Sequence, residues 1–173
     1  MSIKGLTLHY NYITNEISDN LIKKIYDSEW NTSMSRRTQH YGYEYGYTNF
    51  NVTKTKPIPP VFSEVVKTII SPDQCIINEY TPGQGIAAHI DAAVFGPIIC
   101  SLSLNSDCMM DFTHNDSKIS INLPKNSLLV LEDEARYKWT HEIARRKNDV
   151  IDGIKRPRNT RISLTFRTIK IDF

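Results

Sequence analysis

The sequence predicts a mainly β fold of the α+β class, a sandwich or jelly roll that follows N-terminal helices. Helical periodicity of apolar residues occurs only in the first 72 residues. After Pro72, short runs of β-branched and apolar residues alternate with turn clusters such as Pro-Gly-Gln-Gly and Pro-Lys-Asn-Ser. Many short strands at this spacing are typical of sandwiches and jelly rolls.

The N-terminal part combines two predicted helices with a tyrosine-rich segment between them. Apolar residues at helical spacing predict an amphipathic helix over Asp19 to Trp30. From Asn31 to Pro60 the sequence is polar and lacks helical periodicity, which indicates hairpins or a long ordered loop. A second helix is predicted around Val61 to Ile70.

Strands make up the predicted C-terminal part. They are expected over Cys75 to Tyr80, Pro97 to Leu104, Met109 to Thr113, Ile119 to Leu123, Ser127 to Leu131 and Thr160 to Ile171. The last strand alternates polar and apolar residues from Arg161 to Arg167, so its two faces differ in character. If the apolar face packs under the helices, the polar face points into the barrel.

Length and composition describe one globular domain, since the chain has 173 residues with 40% hydrophobic and 23% charged content. No apolar run approaches the roughly 20 residues of a membrane-spanning helix, and the first residues lack the apolar stretch of a secretory signal. We therefore expect a soluble intracellular protein, located in the cytoplasm. The formal charge of +2 is too small to indicate a class of partner.

The three cysteines indicate buried thiols. Cys75, Cys100 and Cys108 are an odd number, show no CxxC spacing and each lie in an apolar run. This usage suggests neither a disulfide framework nor a cysteine zinc site.

Three residues form a candidate metal site. His89 and Asp91 are two residues apart on an extended segment, so their side chains share one face. His141 can supply a third ligand from an opposing strand. Two imidazoles and one carboxylate on one side of a metal are the facial arrangement of non-haem iron(II) oxygenases. A His-x-Asp pair alone is more often a surface pair, so the motif needs support from elsewhere in the chain.

The last strand supplies that support. Arg161 and Arg167 share its polar face, and guanidinium groups that point into a barrel require anionic partners. A dicarboxylic co-substrate offers two carboxylates for charge-assisted hydrogen bonds. Asn78 and Tyr80 also share a face and can complete such a site by hydrogen bonding. The alternative is that both arginines meet carboxylates of the protein, or that the polar face is solvated.

A basic and aromatic segment is the candidate nucleic-acid surface. The pair Arg36 and Arg37 precedes tyrosines that alternate along a predicted hairpin. These tyrosines are Tyr41, Tyr43, Tyr45 and Tyr47. Cations hold phosphates and aromatic rings stack on bases, so we expect this segment and the basic stretch from Arg145 to Arg158 to form a rim that binds nucleic acid. Alternatively, the tyrosines pack on the barrel and the arginines are solvated.

Three blocks of the sequence occur in a specific order and spacing. They are Asn78 to Asp91, Arg136 to His141 and Arg161 to Arg167. Together they resemble the AlkB family of iron and 2-oxoglutarate-dependent nucleic-acid oxygenases. Within the family the resemblance is greatest to the branch that hydroxylates a modified wobble uridine in transfer RNA. That closer resemblance is carried by Arg36-Arg37 with Gln39 to Tyr45, by Ser101 to Leu104 and by Met110 to Phe112.

The resemblance implies a double-stranded β-helix (jelly roll) with a nucleotide-recognition lid. Residues 1–72 would supply the N-terminal helices and the lid, and residues 73–173 the core of a single oxygenase domain. It implies Fe(II) bound by His89, Asp91 and His141, and 2-oxoglutarate bound by Asn78, Tyr80, Arg161, Ser163 and Arg167. The implied enzyme is an oxidoreductase that yields succinate, carbon dioxide and a hydroxylated carbon.

For the substrate, the resemblance favours tRNA. The similar wobble-uridine enzymes also carry an RNA-recognition domain and a methyltransferase domain, and neither fits in 173 residues. RNA recognition is therefore expected from the domain itself or from a separate RNA-binding or methyltransferase partner. Ala93 stands where dealkylating repair enzymes often carry an acidic group, which weakens the repair alternative, and Glu142 replaces the Gly that commonly follows the distal metal His.

Two alternative functions remain open at this point. One is the oxidative dealkylation of methylated DNA or RNA bases, which uses the same metal site. The other is a protein hydroxylase or an inactive binding module, against which the intact triad and both arginines argue.

Overall fold

The computed structural model describes residues 2–46, 48–49 and 51–170 and consists mainly of antiparallel strands. The helices are α1 (Asn15–Tyr26), α2 (Pro60–Ser63), which continues into a 3-10 turn (Glu64–Val66), and α3 (Asp133–Tyr137). The strands are β1 (Leu6–His9), β2 (Thr38–Tyr41), β3 (Tyr43–Tyr45), β4 (Val52–Lys54), β5 (Gln74–Tyr80), β6 (Ile86–His89), β7 (Phe95–Leu104), β8 (Cys108–His114), β9 (Ser117–Leu123), β10 (Leu128–Leu131), β11 (Thr140–Ile143), β12 (Asn148–Ile151), β13 (Ile154–Pro157) and β14 (Arg161–Ile169). Within these ranges, no helix combines the length and the apolar composition needed to cross a membrane.

The strands form a large and a small sheet. The large sheet has six strands in the order β1-β10-β7-β14-β5-β2, and the small sheet has four in the order β6-β11-β8-β9. Neighbouring strands in both sheets are antiparallel. The strand pairs β3–β4 and β12–β13 form separate two-stranded ribbons. This arrangement confirms the predicted jelly roll.

Apolar residues pack against both faces of the large sheet. On one face, Leu102 and Leu164 of the sheet pack with Leu21 of α1. On the other face, Ile99 of the large sheet belongs to the same cluster as Phe112 of the small sheet. The molecule therefore has a helical layer, the large sheet and the small sheet, and the candidate site lies between the two sheets.

Strand β14 shows the alternation that its sequence predicts. Ile162, Leu164 and Phe166 are fully buried in the cluster on the helix side. Arg161 and Ser163 line a cavity on the opposite face, between the sheets. The prediction that the arginines of this strand point into the barrel is confirmed, because an extended strand places alternate side chains on opposite faces.

The first helix lies about one turn nearer the N terminus than predicted. Thr14 caps α1, and its Oγ1 accepts a hydrogen bond of 3.2 Å from the backbone N–H of Ile17. Threonine at this position satisfies an N–H that has no partner within the helix. The first turn begins with Asn15 and Glu16, and its one apolar residue, Ile17, is exposed, so apolar periodicity did not indicate it.

The second predicted helix is shorter than expected. It ends at Val66, whereas the prediction extended to Ile70. Phe62 and Val66 are fully buried, so a single short helical segment is enough to place both in the core. The backbone N–H groups of Ile69 and Ile70 both donate to the carbonyl of Val66, at 2.8 and 2.9 Å, and close the segment.

Two strands from the first 72 residues complete the large sheet. Strand β1 pairs with β10 at one edge and β2 pairs with β5 at the other. Neither was predicted individually, nor was the β12–β13 hairpin, because each of these four-residue strands contains polar residues, unlike the equally short but wholly apolar β10. The three cysteines are buried and unpaired, as their sequence context predicts, and burial raises the pKa of each thiol.

Candidate active site

The predicted metal ligands lie together at one end of the small sheet. His89 is the last residue of β6, and His141 of β11 stands directly opposite it in the antiparallel register. The two rings have centroids 4.4 Å apart, and each Nε2 lies 3.4 Å from Oδ1 of Asp91. Their ligand atoms all lie within 4.8 Å of one another. One metal ion can therefore be reached by all three residues.

The free lone pairs of His89 and Asp91 suit a cation. Nδ1 of His89 donates to the carbonyl of Ala87 at 2.7 Å, which leaves the Nε2 lone pair directed at the triad. Asp91 has a side chain that is only 2% exposed, and its Oδ1 accepts no hydrogen bond of ordinary geometry. Lone pairs that converge in a buried site repel one another unless a positive charge lies between them. The residues present thus fit a divalent metal.

The carboxyl group of Asp91 is held in its charged form. Burial alone would raise its pKa, but the Arg167 guanidinium and the two neighbouring histidines hold that pKa well below its ordinary value. Burial likewise opposes charge on His89, yet the neighbouring Asp91 carboxylate and the Ala87 carbonyl raise the pKa of that imidazole. The Asp91 carboxylate therefore keeps its negative charge at neutral pH.

Arg161 is the largest of the fully buried side chains among the described residues. One terminal nitrogen, Nη2, donates to Oγ of Ser103 at 2.9 Å, and Nε has no partner. In the described part of the chain no carboxylate lies within ion-pair distance of this guanidinium. Its carbon Cζ stands 5.5 Å from the centre of the Tyr80 ring. A buried cation without an anion is costly, so this side chain is placed to meet an anionic ligand.

Arg167 has a different environment from Arg161. Its Nε donates to Oδ2 of Asp91 at 2.7 Å, and Nη1 donates to Oε1 of Gln74 at 2.9 Å. The alternative that the arginines meet protein carboxylates thus applies to Arg167 but not to Arg161. Arg167 therefore holds the second oxygen of the triad carboxylate while Oδ1 stays available.

Two cavities meet at the triad. A small one, of about 60 Å³, contains all five predicted 2-oxoglutarate ligands among its lining residues. A larger and more open one, of about 470 Å³, is lined mainly by apolar side chains, including Met34, Ile90 and Phe95. Asn78, His89 and Asp91 line both. The larger volume is within the range of small-molecule binding pockets.

The structure separates Arg36 from Arg37. Arg36 lines the larger cavity, where its Nε donates to Oδ1 of Asn78 at 2.9 Å and its Nη1 donates to the carbonyl of Gly85 at 3.0 Å. Arg37 forms an ion pair of 2.6 Å with Glu79 and stacks 4.3 Å from the ring of Trp30. Because Asn78 and Glu79 are consecutive on one strand, the two arginines lie on opposite faces of the sheet.

The predicted alternation of tyrosines is interrupted at Gly42, whose φ of 76° turns the chain between β2 and β3. Tyr41 is buried on the helix side against Phe62, so the expectation of one shared tyrosine face is wrong. Tyr45 lines the larger cavity. Tyr43, half-buried in β3, is not among the residues that line it. Tyr47 lies outside the described residues.

The basic stretch divides into structural and exposed residues. Arg146 and Arg158 both donate to the buried carboxylate of Asp149, at 2.8 Å each. Arg145, Lys147, Lys155 and Arg156 are exposed. The Lys147 side chain lies beside Gly83, in the turn that leads into β6. Part of the basic stretch therefore lies beside the turn that precedes β6, whose residues line the larger cavity.

Sequence reasoning missed two side chains that support the site. Gln74 supports Arg167, and Arg136 contacts the backbone that follows Asp91. For Gln74, the signal was available in its position on the inner face of β5, opposite Arg167. For Arg136, the signal was its place at the start of the Arg136 to His141 block, to which sequence analysis gave no separate role.

Comparison with known proteins agrees with this geometry. Residues 6–167 match the 2OG-Fe(II) oxygenase superfamily. The uncharacterized protein L905 of Acanthamoeba polyphaga mimivirus is 37% identical over 97% of this chain and 86% of its own length. The tRNA (carboxymethyluridine(34)-5-O)-methyltransferase alkbh8 of Xenopus tropicalis is 37% identical over 96% of this chain, which spans only 32% of that protein. The solved structure of OsALKBH1 superposes with a TM-score of 0.79 at 18% identity, covering 97% of this chain and 98% of its own, and so shares the fold.

Proposed function

Because this chain belongs to the 2OG-Fe(II) oxygenase superfamily, as an AlkB-type dioxygenase close to ALKBH8, we propose that it hydroxylates a modified wobble uridine in tRNA. One observation carries the proposal. The triad stands between a buried, uncompensated Arg161 and an open, mainly apolar cavity. An oxygenase needs this arrangement, because co-substrate and substrate must reach one metal from different sides.

Fe(II) and 2-oxoglutarate are the cofactors of the superfamily, and we propose that His89, Asp91 and His141 hold the iron. Bound iron and 2-oxoglutarate together activate oxygen, which yields succinate, carbon dioxide and a hydroxylated substrate carbon. The residues of the chain orient that chemistry. The Ala87 carbonyl fixes the tautomer of His89, and Arg167 fixes the Asp91 carboxylate.

For 2-oxoglutarate we propose two anchoring points. Arg161, deep between the sheets, meets the carboxylate farther from the metal, with Tyr80 and Ser163 beside it. Arg167 lies next to Asp91 and is placed to meet the carboxylate nearer the metal. Asn78 lines both cavities and supplies an amide to the same site. Charge-assisted hydrogen bonds of this kind are the strong ones in proteins.

For the nucleic acid, the proposal rests on the larger cavity and its rim. Arg36 and Tyr45 line this cavity, and we propose that the segment that contains them is the nucleotide-recognition lid. Its apolar lining suits a base that has left the stack, and a wobble base already lies in a single-stranded loop, so moving it costs less than flipping a paired base. The similarity to the tRNA enzyme over nearly the whole chain supports this substrate over others.

A mass-spectrometric experiment tests the substrate. We would incubate the purified protein with Fe(II), 2-oxoglutarate and total tRNA, and compare the nucleosides with those from a reaction with Asp91→Asn. A gain of one oxygen on a modified uridine, absent with Asp91→Asn, is the expected result. Loss of methyl groups from methylated DNA or RNA, with no gain of oxygen on tRNA, would instead assign oxidative dealkylation.

The exposed basic residues at the rim give a separate prediction. Replacing Arg145 and Lys147 together by Ala should weaken tRNA binding and flatten its salt dependence, by about 0.7 to 0.9 in log-log slope for each phosphate that the variant no longer neutralises. The measurement is the tRNA dissociation constant at several salt concentrations. Arg37→Ala is the matched control, because Arg37 is paired with Glu79 on the other face of the sheet. If Arg37→Ala changed tRNA affinity and its salt dependence as much as the double variant does, a nucleic-acid-binding rim at Lys147 would be contradicted.

A further inference from the structure

Arg136 is a buried arginine whose partners are all backbone carbonyls. Arg136 belongs to α3, and only 2% of the residue is exposed. No ion pair to a carboxylate is found for it in the described ranges. Nε donates to the carbonyl of Gly96 at 3.0 Å, Nη1 to that of Asp91 at 2.9 Å, and Nη2 to those of Ala92 and Phe95 at 3.0 and 3.2 Å. One guanidinium therefore binds four carbonyls of a single short segment.

Burying a guanidinium without a carboxylate is costly, so the donors must be matched closely by acceptors. The planar fork of arginine presents its N–H groups in a fixed geometry, which a lysine ammonium cannot reproduce. The Tyr137 ring, 4.7 Å from Cζ, adds a favourable contact. The arrangement ties the backbone path of residues 91–96 to α3.

That segment connects both sides of the active site. It begins with Asp91, the triad carboxylate, and reaches Phe95, whose ring lines the larger cavity. The Phe95 ring lies 4.6 Å from Cζ of Arg167 and 5.7 Å from the Tyr45 ring. Arg136 thus holds the backbone of Asp91 while Arg167 holds its carboxylate.

We propose that Arg136 is a positioning residue that fixes Asp91 and Phe95 through their carbonyls, and so sets the affinity of the triad for its metal without touching the metal. The inference rests on the proposed metal site at His89, Asp91 and His141. In this proposal α3, a helix of five residues, supports the metal site through the backbone that contains Asp91.

Mn²⁺ binding, measured on the folded protein without 2-oxoglutarate or substrate, tests the proposal. We expect Arg136→Met to weaken Mn²⁺ binding by about 10- to 100-fold, the usual effect of removing a residue that orients a metal ligand. Arg136→Lys should restore part of the affinity, because it keeps a charge and some donors. Guanidinium ion, but not methylammonium, should restore Mn²⁺ binding to Arg136→Ala.

Arg158→Met is the matched control. Arg158 is also a buried arginine, but it pairs with Asp149 away from the triad. The Arg158→Met substitution should lower the Tm of the protein and leave its Mn²⁺ affinity unchanged. An equal loss of Mn²⁺ affinity in Arg158→Met would show that the affinity follows general stability, and would overturn the proposal.

Unchanged Mn²⁺ affinity in folded Arg136→Met would also overturn it. If that variant does not fold, the same comparison is made with Arg136→Lys, and native affinity there is equally decisive. Failure of the native protein itself to bind Mn²⁺ would refute the metal site, and is thereby distinguished from a failure of the role given to Arg136.

Discussion

Asp91→Asn is expected to reduce Mn²⁺ or Fe(II) binding below detection and to abolish succinate formation. The substitution keeps the shape of the side chain but removes its charge, and a neutral amide is a poor ligand beside two imidazoles. It also leaves the Arg167 guanidinium without its anionic partner, 2.7 Å away. Breaking such a buried pair destabilises a protein by about 3–5 kcal/mol, so a lower Tm should accompany the loss of metal.

Asp111→Asn provides the control for this prediction. Asp111 is also a buried aspartate, but it lies on the outer face of the small sheet and pairs with Lys118 at 3.0 Å. Its substitution should lower stability and leave Mn²⁺ binding intact. Normal metal binding in Asp91→Asn, measured by calorimetry on the folded protein, would rule out Asp91 as a ligand.

Arg161→Met should abolish most 2-oxoglutarate binding while leaving Mn²⁺ binding unchanged. Loss of one partner from a desolvated charge pair costs about 2–5 kcal/mol, so the Kd for 2-oxoglutarate should rise by about 30-fold or more. Because no carboxylate of the described chain compensates Arg161, removing its charge should leave the Tm of the ligand-free protein unchanged or higher. The measurements are calorimetry with 2-oxoglutarate and thermal unfolding with and without it.

Arg167→Met is the informative comparison. Arg167 contacts Asp91 directly, so its loss should weaken both metal and 2-oxoglutarate binding, unlike the loss of Arg161. A ligand-free Arg161→Met protein that is much less stable than the native one would indicate that Arg161 has a structural anion partner. Near-normal affinity for 2-oxoglutarate in Arg161→Met would contradict its role in the co-substrate site.

The direction in which side chains point could be predicted from the sequence wherever the residues concerned lie close together on one extended segment. The alternation along β14 placed Ile162, Leu164 and Phe166 toward the helices and Arg161 toward the other sheet. The same rule predicted that His89 and Asp91 share one face, and they lie within reach of one metal although Asp91 follows the end of β6. Both follow from the two-residue period of side-chain direction along an extended backbone. This period is a local property, so it can be recognised from neighbouring residues in the sequence.

The predictions from sequence were less accurate where a strand was short or where a helix began with polar residues. The four-residue strands β1 and β2 have too few residues to show a period, although they form both edges of the large sheet. The mainly polar first turn of α1 is capped by Thr14 and its Ile17 is exposed, so hydrophobic spacing did not reveal it. At Gly42 a positive φ interrupted an alternation that the tyrosine spacing had suggested.

The amino-acid order alone was enough to tell which residue types face the inside of the barrel, because strand periodicity is local along the chain. The folded chain was needed to learn that His141 stands opposite His89, that Arg167 pairs with Asp91 while Arg161 has no such partner, and that Arg136 holds the segment after Asp91. Those contacts join residues far apart in sequence. They depend on strand register and on the paths of loops, which leave no periodic pattern in the residues that make them.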